Sequence, residues 1–201
     1  VRTKTFVQTT LFLILAALAP ALAGAEPAVY KVDPDHSSVE FRIRHFVTNV
    51  PGRFTDFQGT IKYDPQNPAA SGIEVTVQAA SIDTDTPDRD KHLRSEDFFD
   101  VEKYPTLSFA SVQAKPVDAN TLEVTGDLTI HGVTHRITIP VRLLGTMKSL
   151  GGEKAGFETS FTINRKDYGV VWNRVVETGT MLGDDVNITI SVEANRQEPA
   201  K

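Results

Sequence analysis

Across most of this chain apolar and polar side chains alternate with a period of two. Val39, Phe41, Ile43 and His45 alternate with Ser38, Glu40, Arg42 and Arg44. The same rhythm runs through residues 57–63, 73–79, 107–109, 122–130, 133–141, 157–163 and 186–192. One apolar and one wet face mark an antiparallel strand, because strands covered on both faces read as continuous apolar runs. Eight such strands in a flat sheet would leave an apolar face and two edges exposed. Closure removes the edges. The chain is therefore expected to be all-β, an eight-stranded antiparallel barrel, with a β-sandwich as the competing arrangement.

Turn chemistry separates the runs. Asp64-Pro65-Gln66-Asn67-Pro68 links the second to the third, and His131-Gly132 is a two-residue link in which Gly supplies a positive φ. Between the third and fourth runs, Thr86-Pro87-Asp88 has the form of a helix start, with Thr86 as cap and Pro87 in the first turn. The spacing predicts a short helix to about Phe99 that turns Leu93 and Phe98 inward. Residues 164–185, which hold the single tryptophan, Trp172, read as a long functional loop.

The start of the chain differs in kind. Arg2 and Lys4 precede an apolar stretch densest over 11–19, followed by Ala21-Leu22-Ala23 and Ala23-Gly24-Ala25. This is the layout of a secretory signal, and its apolar core is short for a membrane span. Residues 1–25 are expected to be cleaved, leaving one domain over 26–198. The leader carries two basic and no acidic residues, so 19 basic remain against 26 acidic, a net of −7. An acidic protein gains little from a phosphate backbone, which argues against nucleic acid as a partner. There is no cysteine, which removes disulfides, thiolate metal sites, Cys nucleophiles and lipidation at a cysteine together. Export without an anchor implies a periplasmic protein.

Several stretches, taken in order, resemble the YceI family. They are Tyr30-Lys31-Val32-Asp33-Pro34-Asp35-His36-Ser37, then Arg89-Asp90-Lys91-His92-Leu93 with Ser95-Glu96-Asp97-Phe98-Phe99-Asp100. Tyr104-Pro105-Thr106-Leu107-Ser108-Phe109, Gly126-Asp127-Leu128-Thr129-Ile130-His131-Gly132-Val133-Thr134 and Asn164-Arg165-Lys166-Asp167-Tyr168-Gly169 follow. Tyr168 stands where that family more often carries Phe. The resemblance implies a lipocalin-like barrel that holds a polyisoprenoid, quinone-like or similar amphiphile, often as a homodimer. It also implies transient dealings with a membrane or a cytochrome b561-type partner.

Side chains expected to face the interior are Phe41, Ile43, Phe57, Val75, Val77, Phe109, Leu128, Ile130, Ile137, Ile139, Phe161, Ile163 and Ile190. The alternation by itself favours an interior filled by side chains; the resemblance favours a lipid tunnel, with Gly59, Ala79 and Gly126 leaving room. Arg89 and His92, three apart, share a helical face. They suit either a head group at the barrel mouth or a structural network. Trp172 and Asn173 are candidates to close that mouth, the indole toward lipid and the amide toward a head group. The five histidines, His36, His45, His92, His131 and His135, show no metal-ligand spacing, so neither a metal nor a cofactor is expected. No Gly-x-Ser-x-Gly elbow or phosphate loop is present, and Asp83, Asp85, Asp88 and Asp90 read as caps and turns. A non-catalytic lipid carrier or reservoir is the leading expectation. An enzyme acting on a bound isoprenoid or quinone, and a filled-core structural protein, stand beside it.

The leader makes the first testable statement. Exported protein should begin near Gly24 or Glu26; an intact mass that retains residues 11–19 contradicts it.

Overall fold

The computed structural model describes residues 26–149, 151–176 and 179–198; the leader expected over 1–25 lies outside them. The strands are β1 (Ala28–Val32), β2 (Ser38–His45), β3 (Thr48–Phe54), β4 (Phe57–Tyr63), β5 (Gly72–Gln78) and β6 (Ile82–Asp83). Helix α1 (Pro87–Arg94) follows, then β7 (Thr106–Pro116), β8 (Thr121–Ile130), β9 (Val133–Ser149) and β10 (Gly152–Asn164). A two-strand flap, β11 (Val175–Val176) and β12 (Gly179–Thr180), precedes the last strand, β13 (Leu182–Arg196).

Three barrel strands are each broken once. β1 and β2 both pair with β13, Lys31 opposite Asn195 and Phe41 opposite Ile188. On their other edge β1 takes β4 and β2 takes β3. In turn β4 takes β5 and β3 takes β6. So β1/β2, β3/β4 and β5/β6 are three long strands interrupted by turns. With β7, β8, β9, β10 and β13 they make the eight-stranded antiparallel barrel, closed where β1 meets β13.

Closure is complete in only one half, the base. There the rings of Tyr30 and Tyr63 stand edge-on to Phe157, with centroids 6.4 and 6.0 Å away. The Tyr30 hydroxyl donates to Glu153 Oε1 at 2.5 Å, and Arg196 Nη1 donates to Glu153 Oε2 at 3.1 Å. In the other half, the mouth, the wall parts on two sides. The β9–β10 ladder stops at Arg142–Glu158, whereas β10 and β13 stay paired out to Asn164–Asp185. β6 pairs with β3 and has no partner toward β7 among the described residues.

Each opening is covered by a different element. α1 lies over the β6 side, where Arg94 Nε and Nη2 donate to the carbonyls of Ala80 and Ile82 at 2.7 and 2.6 Å. The 3-10 turn Arg165–Tyr168 covers the β9 side. Its Tyr168 is buried with Leu128 and Ile130, against the ring of His135 at 5.0 Å.

Four local features differ from the sequence reading or sharpen it. α1 ends at Arg94 rather than near Phe99, because Ser95 bonds back to the His92 carbonyl through both N–H and hydroxyl. Phe98 still turns inward, from the turn that follows. Pro51-Gly52 lies inside β3. β3 has β2 along one side and only the short β6 on the other, and an edge tolerates Pro. At Gly52 a Cβ would stand 2.3 Å from the Phe41 ring, and at Gly126 2.4 Å from the Phe109 ring. These glycines therefore seat neighbouring aromatic rings instead of holding space open. The His131-Gly132 link is as expected, with φ of 51° and 74°.

The base carries a pH signature. Burial, with the Glu153 hydrogen bond adding to it, pushes the Tyr30 hydroxyl up to about 12 from its ordinary 10.0. The folded state then keeps a proton that the unfolded chain has lost, so stability falls as pH rises between these values. The fall should be roughly 2–3 kcal/mol, read by chemical denaturation, and Tyr30→Phe should abolish it. An identical alkaline fall in Tyr30→Phe assigns the loss elsewhere.

Candidate functional site

A cavity of about 390 Å³ opens in the parted half of the barrel and reaches down to Ile61, Ile73, Val141 and Phe157 of the base. On the same measure one water needs about 10–15 Å³, and ligand pockets run to about 300–1,000 Å³, so this is no packing defect. Most sequence-derived candidates lie on its wall: Phe41, Ile43, Val75, Val77, Phe109, Leu128, Ile130, Ile139, Phe161, Ile163 and Ile190, with Trp172 at the mouth. Phe57 and Ile137 do not. Phe57 is buried among Val32, Val39 and Ile82, and Ile137 packs against the cluster of Leu128, Ile130 and Tyr168.

Other wall residues are not among the sequence-derived site candidates. Val186, Ile188 and Val192 line the cavity beside Ile190, and their shared parity carried that signal. Val50 and Phe54 come from β3, which lies outside the alternating runs read from the sequence. Val170, Met181 and Leu182 come from the long loop and its junction with β13, where no periodicity exists to read. The wall is apolar apart from a few groups. Thr159 Oγ1 is buried without a hydrogen-bond partner among the described residues, in the stretch of β10 that has left β9.

The polar groups of the mouth are largely committed to one another. Arg89 Nε donates to Thr84 Oγ1 at 2.7 Å, and Nη2 donates to Thr84 O and Thr86 Oγ1 at 2.7 and 3.0 Å. The Thr84 hydroxyl in turn donates to buried Asp90 at 2.5 Å. Arg89 thus belongs to a structural network while still bordering the cavity. His92 Nε2 lies 2.8 Å from Asp97 Oδ2. Its ring stands edge-on to Phe98 and Trp172, both with centroids 5.0 Å away. His92, Phe98 and Trp172 form an aromatic cover at the mouth.

Asn173 is placed otherwise than expected. Its amide faces Leu182, not the cavity: Nδ2 donates to Leu182 O at 2.9 Å, and Oδ1 accepts from Leu182 N at 3.0 Å. The side chain imitates a strand partner and pins the loop to the start of β13.

Arg165, which the sequence marked only as part of a motif, organises this region. It is 5 % exposed. Nη1 donates to the carbonyls of Val170 and Trp172 at 2.7 and 2.8 Å, and Nε donates to Gly183 O at 2.9 Å. Burial works against its charge, and Asp184 at 3.5 Å partly offsets this. Three carbonyls that have no strand partner are thereby satisfied by one fixed fork.

The histidines do not converge. His131 packs against Tyr104, His135 meets Asp167 O, and His45 stacks on Phe46. Among the described residues His36 gathers with Asp33 and Glu193. The Lys154 ammonium already sits 2.6 Å from Glu193 and 3.6 Å from Asp33. That group is an ion-pair knot.

A closed antiparallel barrel with a large apolar interior and a side-chain cover defines a ligand-binding barrel, of the lipocalin-like kind. The family can be stated as well: residues 30–194 match the YceI-like domain, and the chain belongs to that family. It is 39 % identical to Protein YceI of Escherichia coli O17:K52:H18 over 198 residues, 95 % of this chain and 99 % of that one. The structure of Burkholderia cenocepacia BcnA superposes with a TM-score of 0.74 at 26 % identity, covering 82 % of this chain and 99 % of that one. A polyisoprenoid binding domain from Saccharophagus degradans shares the fold, with a TM-score of 0.62 at 16 % identity over 84 % and 98 % of the two chains.

Arg165 supplies the test of this geometry. Arg165→Met keeps the length of the side chain and strips the donors from three carbonyls, so a loss of about 3 kcal/mol or more is expected. Hydrogen exchange should rise first over residues 170–172 and leave the base strands protected. Unchanged exchange there shows that the loop is held by something else.

Proposed function

We propose that this protein binds a long apolar isoprenoid-type lipid, a polyprenyl or quinone-like amphiphile, inside the barrel and acts as a periplasmic carrier or reservoir rather than as a catalyst. The observation that carries the proposal is the apolar cavity of about 390 Å³. The neighbour described as polyisoprenoid-binding supports it. So does the condition of the polar groups around the cavity: Arg165 is taken up by backbone carbonyls and His92 by Asp97, so neither stands poised for chemistry. Export rests on the leader. The homodimer and the exchange with a membrane or a cytochrome b561-type protein rest on family likeness.

The energetics suit a carrier. Burying one CH₂ is worth about 0.8 kcal/mol, so a five-carbon isoprene unit contributes roughly 3–4 kcal/mol against water. A long chain would nominally exceed the practical ceiling of about 18–21 kcal/mol for non-covalent binding, and chain ordering offsets part of the excess. Against a bilayer, where the chain is already in hydrocarbon, transfer is close to balance. Such a lipid escapes slowly into water and exchanges readily with a membrane.

Val77→Trp and Ile188→Trp each put an indole into the void. Uptake of a fluorescent prenyl lipid from detergent should fall at least ten-fold in both, with the strand signal in far-UV circular dichroism retained. If both variants unfold and the wild type takes up no prenyl lipid, the interior is solid in solution and the proposal fails.

A further inference from the structure

The turn between β2 and β3 is made of Phe46 and Val47, and it breaks the usual turn chemistry. Phe46 has φ of 47°, a conformation that Asn or Gly adopts at little cost and a bulky residue adopts rarely. Val47 is 98 % exposed and Phe46 43 %. A second pair of exposed apolar side chains stands on the loop that carries Trp172: Val171 at 61 % and Val175 at 82 %. Backbone bonds tie the two tips together. Phe46 N–H donates to Met181 O at 2.8 Å, and Met181 N–H donates to Arg174 O at 2.9 Å. None of these four side chains lines the cavity, yet their neighbours His45, Trp172, Met181 and Leu182 do. The apolar tips are therefore continuous with the mouth.

Charge completes the pattern. Arg42, Arg44 and Arg174 are exposed and form no ion pair among the described residues. Arg44 Nη1 is turned to the Phe46 carbonyl at 2.7 Å, which holds a guanidinium beside the tip. Elsewhere the described arginines are paired with acids or bonded inward, as Arg53, Arg136, Arg142 and Arg196 are to Asp83, Asp127, Glu158 and Glu153. An acidic protein thus keeps three guanidinium groups without an acid partner among the described residues, on the strand and loop that carry the protruding apolar side chains.

Resting on the lipid-binding reading above, we infer that these tips are a bilayer-docking surface: Phe46, Val47, Val171 and Val175 enter the acyl boundary while Arg42, Arg44 and Arg174 meet anionic phospholipid head groups. Interfacial binding of this kind combines buried apolar area with attraction to anionic lipid. Each arginine near such a surface adds about five-fold to partitioning. Docking by this end turns the aromatic cover of His92, Phe98 and Trp172 toward the membrane, so lipid passes between cavity and bilayer without crossing water.

The test uses the exported protein, freed of its leader, and vesicles of phosphatidylcholine with or without phosphatidylglycerol. Wild type should float with the mixed vesicles, bind pure phosphatidylcholine more weakly, and lose binding as salt rises. Val47→Asp and the pair Arg44→Glu/Arg174→Glu should each lower flotation and the rate of prenyl-lipid transfer to vesicles about ten-fold or more. Both should take up prenyl lipid from detergent as wild type does. Uptake from detergent separates the two claims: its absence in wild type sinks the lipid-binding reading, whereas normal uptake with unaltered flotation in the variants sinks the docking surface alone. If Val47→Asp instead dissociates a dimer in sedimentation velocity and leaves flotation unchanged, the tips join two copies of the chain and the inference is overturned.

Discussion

The strands of this barrel hydrogen-bond all the way round only in the half that contains Tyr30 and Phe157. In the other half β10 leaves β9 after Glu158, and among the described residues β6 reaches no strand beyond β3. Every later feature answers that loss of pairing. A parted sheet exposes backbone groups that must be bonded. Arg94 serves the carbonyls of Ala80 and Ile82; Arg165 serves those of Val170, Trp172 and Gly183. Asn173 serves both groups of Leu182. Because side chains do the work of missing strands, the wall stays fixed without being drawn together, and the interior can remain hollow.

A hollow apolar interior costs stability, since lining atoms that face a void forgo packing contacts. The same deficit is what a hydrocarbon guest restores. The closed base, stapled by Tyr30, Glu153 and Arg196, concentrates stability at one end and leaves the other to open. The cover at that open end is held by edge-on and tilted aromatic contacts rather than by strand bonds. Such contacts are individually weak, about 0.5–1.5 kcal/mol for an aromatic pair, which is appropriate for a lid that has to move.

Much of this is legible in the sequence. Period-two alternation placed the barrel strands and their inward faces, because a pleated strand puts alternate side chains on opposite sides whatever its neighbours are. The wall residues Val75, Val77, Leu128 and Ile139 followed directly. The signal failed where a residue's role depends on a distant partner. Nothing in residues 48–54 announces that β3 is an edge or that Phe41 lies across Gly52. Gly126 reads as empty space until the Phe109 ring is seen upon it. Asn173 and Arg165 carry no periodicity, and a carbonyl acceptor leaves no trace in sequence. The family motifs identified Arg165 as notable without saying what it holds.

The central claim is that the interior is an occupied lipid site and not a filled core. Native mass spectrometry of the mature protein, purified without detergent, measures that most directly. The account predicts an added mass that organic extraction removes, with the extract showing a ladder of isoprene-unit fragments. A mass equal to the bare polypeptide, from a protein that then takes up no prenyl lipid, contradicts it.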